Sequence, residues 1–203
     1  VINKLAHNAM EFFIKITQSS PLMRKTLESK ASGFVRILSS LFSKISADQE
    51  MINLLIHYTT QEPKECKDGS SVQLKNLGGI KLLFKACYSS QYYDDVLNFF
   101  IEATTMSAFN RYQCSESGLV EDLLSSFKTK FNEKALQLLI IIGSKYIKMC
   151  EFSHLLKLIK ESQEDYSLKL IKALSEMMKQ KDPSIPVSFF HFSNDYSSFD
   201  VKD

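Results

Sequence analysis

The stretch from Ser117 to Gly143, SGLVEDLLSSFKTKFNEKALQLLIIIG, decides the fold of this chain. It contains two apolar segments at helical spacing, separated by a polar break at 128–132. Asn132 offers a side-chain oxygen that caps the second helix, and residues 135–142 are apolar except at Gln137. Because neither helix buries its apolar stripe alone, this helical hairpin requires neighbours of the same kind.

The rest of the chain repeats two features of this hairpin. A leading helix carries an apolar doublet, and a trailing helix carries one polar residue within an apolar run. The doublets are Ile37-Leu38, Leu82-Leu83, Leu123-Leu124 and Leu155-Leu156, and the polar residues are Asn53, Asn98, Gln137 and Lys169. The polar position advances by 45, 39 and 32 residues from unit to unit, near the repeat length of about 40 in armadillo and HEAT proteins. The pattern predicts an all-α, armadillo/HEAT-like helical-repeat solenoid.

Local start signals mark the helices inside these units. We expect the glycine pair that ends at Gly79 to separate the first helix of the second unit from the preceding turn. Ser46 with Gln49 predicts a capping box for the trailing helix of the first unit. Ser162 with Asp165 predicts the start of the last trailing helix in the same way.

These signals divide the chain into a helical domain and a tail. Residues 1–181 are predicted to form one armadillo-like domain, with a partial repeat at 1–30 and units at about 33–61, 72–105, 117–148 and 151–180. Residues 106–116 are predicted to be a polar-aromatic link with at most one helical turn. The prolines in the sequence DPSIP break the last helix, so residues 182–203 are predicted to be a short extended tail that starts a following β domain.

Composition and charge narrow the functional class. The 203 residues are 44% hydrophobic and 24% charged, which is typical of a folded chain. The net charge is +2, and lysines alternate with acidic residues, which favours solvated helix faces over a nucleic-acid surface. No apolar run approaches the length of a membrane span. Because the chain begins at Val1 within a helical pattern, we expect a fragment of a longer protein and not a signal peptide.

The sequence contains no recognisable reaction centre. None of the four histidines lies in a metal-binding spacing, and no nucleophile elbow, phosphate loop or dinucleotide motif is present. The cysteines have neither zinc-ligand nor redox-motif spacing, so we expect reduced thiols in a reducing compartment; they are Cys66, Cys87, Cys114 and Cys150. We therefore expect no enzyme, no metal and no cofactor.

The polar residues of the trailing helices are the candidate partner-binding site. Equivalent helices stack side by side in a solenoid, so these residues should form a row. A histidine four positions after the first of them lies on the same helix face. The candidate residues are Asn53, His57, Asn98, Gln137 and Lys169. Each also fits the solvated edge of an amphipathic helix, and both interpretations stay open. The chain has no tryptophan, so the tryptophan–asparagine ladder of the importins cannot operate.

A second candidate surface is a lysine patch on the last unit. Its members are Lys157, Lys160, Lys169 and Lys172. Such a patch fits an acidic lipid or protein contact, and it fits ordinary solvated lysines as well.

The helical repeats and the tail together resemble one protein family. Helical repeats followed by a proline break and then PVSFFHFSN…SSFDV resemble the long BEACH-domain proteins of the neurobeachin and Beige/Chediak–Higashi group. The residues that carry the resemblance in the tail are Pro186, Phe189, Phe190, Phe192, Ser197, Ser198 and Val201. In that family an armadillo-like region runs into a concanavalin A-like β-sandwich.

The resemblance implies a non-catalytic scaffold in vesicle or membrane trafficking. The segment would belong to a large cytoplasmic protein, peripheral on endomembranes through its other domains, and would bind protein partners such as a small GTPase or a trafficking factor. The alternative is the armadillo-type, GTPase-binding regulatory region of a diaphanous-like formin that acts on actin. The helix starts at glycine fit both families, whereas the proline-aromatic tail fits only the first.

Overall fold

The computed structural model describes residues 2–20, 22, 26, 33–42, 47–61 and 72–179. Within these residues the chain forms helices and no strand, so the predicted all-α class is confirmed. The helices are α1 (Ile2–Ser19), α2 (Gly33–Phe42), α3 (Gln49–Thr60), α4 (Leu77–Cys87), α5 (Tyr93–Thr105), α6 (Ala108–Ser117), α7 (Leu119–Ser126), α8 (Glu133–Tyr146), α9 (Met149–Glu161) and α10 (Glu164–Lys179). The predicted tail at 182–203 lies outside the described residues.

The helices pack in two series. Helices α2, α4, α7 and α9, which carry the apolar doublets, each contact the next one along the chain. Helices α5, α8 and α10, which carry Asn98, Gln137 and Lys169, also contact one another in order. Helix α3 is the exception, because it packs against α1 and α4 and makes no contact with α5 in the described part of the chain.

The apolar doublets supply much of the core between the two series. Both members are fully buried in the middle units, at Leu82-Leu83 and Leu123-Leu124. In the outer units only one member is buried: Leu38 and Leu155 are in the core, whereas their neighbours Ile37 and Leu156 are 66% and 46% exposed. Each doublet of the outer units therefore contributes only one residue to the core.

Helix α6 replaces the link that the sequence predicted at 106–116. It is ten residues long, starts at Ser107, whose hydroxyl accepts a hydrogen bond from the Asn110 N–H, and ends at Gly118 in the left-handed region at φ 82°. Its buried face consists of Asn110, Cys114, Ser115 and Ser117, which are polar or small. The helix lacks an apolar period for this reason, and the prediction of a link was wrong.

The Asn110 side chain joins three parts of the chain. It is fully buried, and its Nδ2 donates to the carbonyl oxygens of Val72 and Ala103, each at 2.7 Å. Its Oδ1 accepts from the Leu74 N–H at 2.9 Å. The extended segment 72–76, the last turns of α5 and the start of α6 are held together by this one amide.

Gly79 lies inside helix α4 and does not separate it from a turn, so that prediction was wrong. Asn76 caps the helix by accepting from the Gly79 N–H at 3.0 Å, and the Asn76 N–H donates to the Thr59 carbonyl at 3.1 Å. The start of α4 is thereby drawn onto α3. A Cβ atom at position 79 would lie 2.8 Å from the Thr59 Cα, so glycine is required by close packing.

Two of the predicted helix starts have opposite outcomes. The Asn132 cap is confirmed, since its side-chain oxygen accepts from the N–H groups of Lys134 and Ala135. The cap of α3 is Asp48, which accepts from the Met51 N–H at 2.9 Å, so Gln49 is the first residue of the helix and not the third, as the predicted capping box required; Ser46 lies outside the described residues. Aspartate competes well for this position because its charge also interacts favourably with the helix dipole.

Ser162 ends a helix where the sequence predicted that it starts one. Its hydroxyl donates to the Leu158 carbonyl at 2.7 Å, and its N–H donates to the same oxygen at 3.0 Å. Helix α10 then begins at Glu164. The same side chain that can cap a following helix here satisfies a carbonyl of the preceding one.

Replacing Asn110 by alanine should lower the free energy of unfolding by about 3 kcal/mol or more, because one N–H and two carbonyls are left buried without partners. Urea unfolding followed by circular dichroism measures this change. Asn53→Ala, at an exposed position of α3, is the control and should change the free energy by less than about 0.5 kcal/mol. Equal midpoints for both variants would show that the Asn110 amide contributes nothing to stability.

Gly79→Ala should cost about 1–3 kcal/mol, because the new methyl group meets the backbone of Thr59 and α3 must move away from α4. Gly33→Ala is the matched control, since a Cβ atom there meets nothing within 4 Å. Thermal unfolding of the two variants separates the cost of contact from the general effect of replacing glycine. A Gly79→Ala protein as stable as Gly33→Ala would contradict the close approach.

Candidate partner-binding surface

Three of the five predicted site residues lie on successive, contacting helices. Asn98 is half-buried on α5, and Gln137 and Lys169 are exposed on α8 and α10. Because α8 contacts both α5 and α10, the three helices present one continuous surface. The last three members of the predicted row thus lie on helices that contact one another in order.

The other two predicted site residues stand apart from that surface. Asn53 is exposed and accepts a hydrogen bond from the Gln49 side chain on the same helix, at 3.0 Å. His57 is half-buried one turn further along. Both residues are on α3, which does not pack against α5 in the described residues, so the predicted row does not continue directly to them.

Lys169 is already engaged by neighbouring side chains. Its ammonium group forms an ion pair with the Glu133 carboxylate at the start of α8 and lies 5.2 Å from the centre of the Phe131 ring. The hydrogen bond to Glu133 raises the pKa of Lys169. Phe131 also stacks on Tyr166, with ring centres 4.9 Å apart and planes 5° from parallel. A ligand that binds Lys169 must therefore compete with Glu133.

A similar bridge joins α8 to α5 along the same edge. The Asn132 side chain, which caps α8, donates from Nδ2 to the Asp94 carboxylate at 2.9 Å, and Lys134 lies 3.6 Å from the same carboxylate. The three trailing helices are therefore connected at their N-terminal ends by polar contacts that all lie at the surface. These contacts fix the register of one helix on the next.

The second surface feature is a groove between α7 and α9, with a volume of about 610 Å³. His154 on α9 contacts the Glu121 carboxylate on α7 at 2.9 Å, and the Lys148 ammonium group lies 3.0 Å from Glu116. The groove is lined by Glu121, Lys128, Lys148, Cys150, Glu151, Ser153, His154 and Lys157. Both acidic and basic side chains line the groove, and His154 pairs with Glu121 within it.

Glu151 is the one buried carboxyl group in the described core. It is 3% exposed, and it accepts a hydrogen bond from the Lys148 N–H at 2.8 Å in the first turn of α9. Burial raises the pKa of Glu151, against the lowering effect of that hydrogen bond. The sequence placed the start of this unit near Phe152 and so missed Glu151 as a capping residue, because the partner of Glu151 is a backbone N–H and lysine is not one of the side chains that mark a helix start.

Two of the four predicted patch lysines have acidic partners. Lys157 lies 3.8 Å from Glu161 on the same helix, and Lys169 pairs with Glu133 as described above. Lys160 and Lys172 are exposed on α9 and α10. The described contacts thus reduce the net positive charge of the patch.

Among the described histidines and cysteines, His7, Cys87 and Cys114 occupy structural positions. His7 contacts the Asp48 cap of α3 at 2.9 Å. Cys87 and Cys114 are free and buried, and burial raises the pKa of both thiols, whereas Cys150 is free and exposed. The described part of the chain contains no group of three or more acidic, histidine or cysteine residues placed to hold a metal ion. Cys66 and His191 lie outside the described residues.

No protein-family model, no curated protein and no solved structure matches this chain. Among the described helices, none has the length and apolar character that crossing a bilayer requires.

Glu151→Gln should remove a pH-dependent loss of stability. The Glu151 carboxyl group loses its proton near pH 4.5 in the unfolded state and at a higher pH in the native state. As the pH rises through this interval, the free energy of unfolding of the wild type therefore falls. Glutamine still offers an oxygen to the Lys148 N–H but carries no charge. Urea unfolding at a series of pH values should show that the free energy of unfolding of the variant increases relative to that of the wild type through this interval. A difference that does not change with pH would contradict the prediction.

Proposed function

We propose that this chain is a non-catalytic scaffold of armadillo-like helical repeats that binds protein partners. The observation that carries the proposal is the ordered contact of α5, α8 and α10, which places Asn98, Gln137 and Lys169 on consecutive helices of one surface. Repeat proteins with stacked equivalent helices typically use the extended surface of that stack to bind their partners.

The helix inventory supports the repeat interpretation. Helices α4 and α5 make one unit, and α9 and α10 make another. Between them, α6, α7 and α8 supply three helices, the number that distinguishes armadillo repeats from two-helix units. The series of contacts between equivalent helices is the nearest-neighbour packing that a solenoid requires.

The chemistry of the surface favours a partner that is extended and acidic at one position. The side-chain amides of Asn98 and Gln137 can each donate to and accept from a peptide backbone. An acidic side chain of the partner would displace Glu133 from Lys169 and keep the ammonium group paired. The cost of that exchange is small, because both Lys169 and Glu133 are exposed.

We further propose that the chain belongs to a large BEACH-type protein, cytoplasmic and peripheral on endomembranes, that acts in vesicle or membrane trafficking. The helical repeats and the proline-aromatic sequence at 182–203 support this placement. It predicts a concanavalin A-like β-sandwich in the same polypeptide, C-terminal to the repeats. A formin-type actin-binding region there would overturn it and support a GTPase-binding regulatory domain.

The proposed surface is tested by quantitative affinity capture from cytosol of the source cells. The row variant Gln137→Ala/Lys169→Ala should lose at least one partner by about tenfold or more, because it removes an amide and a charge from the surface of contact. The matched control is Lys15→Ala/Gln91→Ala, which removes one lysine and one amide at exposed positions of α1 and of the turn before α5, away from both the row and the groove.

Melting temperatures of both double variants should stay within a few degrees of the wild type, since all four residues are exposed. If the row variant and the control capture the same partners in the same amounts, the polar row is only the solvated edge of three amphipathic helices. If the row variant loses its fold, the residues act in packing, which also contradicts the proposal.

A further inference from the structure

Helix α10 is apolar on two opposite sides. Leu170, Ala173 and Met177 are buried against the rest of the protein. On the other side, residues spaced by three and four positions form a second stripe, which we call the outer stripe of α10. Its members are Leu168, Ile171, Ser175 and Met178, and its three apolar side chains are 53%, 48% and 62% exposed. A helix that is apolar on both sides is normally covered on both sides.

The equivalent helices show no such stripe. The exposed residues of α5 and α8 are all polar: Asp94, Asp95, Glu102, Thr105, Glu133, Gln137 and Lys145. These two helices are covered in turn, α5 by α8 and α8 by α10. In the described residues α10 contacts only α8 and α9, so the outer stripe lies where the next layer of the stack would pack.

We propose that the outer stripe of α10 binds the segment at residues 185–192 of the same chain, IPVSFFHF. Residues 180–203 lie outside the described part of the chain and enter here by their sequence alone. Three phenylalanines and two aliphatic residues within eight positions supply the apolar surface that the stripe lacks, and the segment contains no acidic residue, lysine or arginine.

The connection to α10 is long enough for this contact. The outer stripe extends about 15 Å along the helix, from Met178 back to Leu168. Ten residues separate Lys179 from Phe190, and an extended chain of that length reaches about 33 Å. The segment can therefore return along the whole stripe from the end of the helix.

A second copy of the chain is the competing occupant, and the tether favours the segment over it. A segment joined to the helix by a short linker is present at an effective concentration in the millimolar range, far above that of a separate molecule in dilute solution. Consecutive elements also pack as neighbours in most proteins.

Side-chain labelling by hydroxyl radicals tests the proposal on the full 203-residue chain. Wild type is compared with a tail variant, Phe189→Ser/Phe190→Ser/Phe192→Ser, and with a control, Ser193→Ala/Ser197→Ala/Ser198→Ala. The labelling rates of Met178 and of the peptide that contains Leu168 and Ile171 should rise at least threefold in the tail variant. They should keep the wild-type value in the control.

Met106 is the internal reference, because it is 81% exposed in the turn after α5 and should be labelled equally in all three proteins. The experiment is repeated after tenfold dilution. Equal labelling of the stripe in wild type and tail variant would overturn the proposal. Protection that disappears on dilution would overturn it as well, in favour of a second copy on the stripe.

Discussion

The side chain of Asn110 forms three hydrogen bonds with backbone groups that lie far apart in the sequence. It accepts one of them and donates the other two. Leu74 and Val72 belong to the extended segment before α4, and Ala103 belongs to the last turns of α5. A buried amide with all these partners costs little to bury, whereas the same backbone groups without it would each cost free energy. The position of the extended segment is therefore set by one side chain of α6.

The rest of the stack follows from that position. Once the segment 72–76 is fixed, its last residue, Asn76, caps α4 and donates its own N–H to Thr59 at the end of α3. Gly79 then lets the two helices approach until their backbones touch. Helix α3 packs against α4 and is thereby placed away from α5. Because of this arrangement, the surface of α5, α8 and α10 starts at the second unit and excludes Asn53 and His57.

The contacts between successive helices divide into two kinds. The buried leucines and isoleucines between the two series, such as Leu82, Leu123 and Leu138, supply the hydrophobic stabilisation. The polar pairs whose partners are both exposed, such as Lys169 with Glu133, contribute little free energy each, whereas Lys85 with Asp122 at 2.7 Å is partly buried. Their spacing along both series indicates that they select the register of neighbouring helices, which leucine side chains alone specify poorly.

The sequence predicts those elements whose buried face is apolar. Helices α7 and α8 follow from a clear helical period, and the Asn132 cap follows from its position before that period. Helix α6 could not be found in this way, because its core residues are Asn110, Cys114 and two serines. The sequence also could not show that position 79 requires glycine, because the backbone that a side chain there would meet belongs to Thr59, twenty residues earlier. For the candidate site, the sequence showed one polar residue within the apolar run of each trailing helix. It could not show which trailing helices contact one another, because tertiary packing decides this.

Native-state hydrogen exchange of the Leu74 amide tests the central role of Asn110 most directly, because this N–H donates to the Asn110 oxygen. If the amide of Asn110 ties the units into one cooperative structure, Leu74 should exchange only through global unfolding. Its free energy of opening should then equal that of Leu139, which is fully buried in α8. A free energy several kcal/mol lower for Leu74 would show that the segment opens locally, and would contradict the dependence of the stack on Asn110.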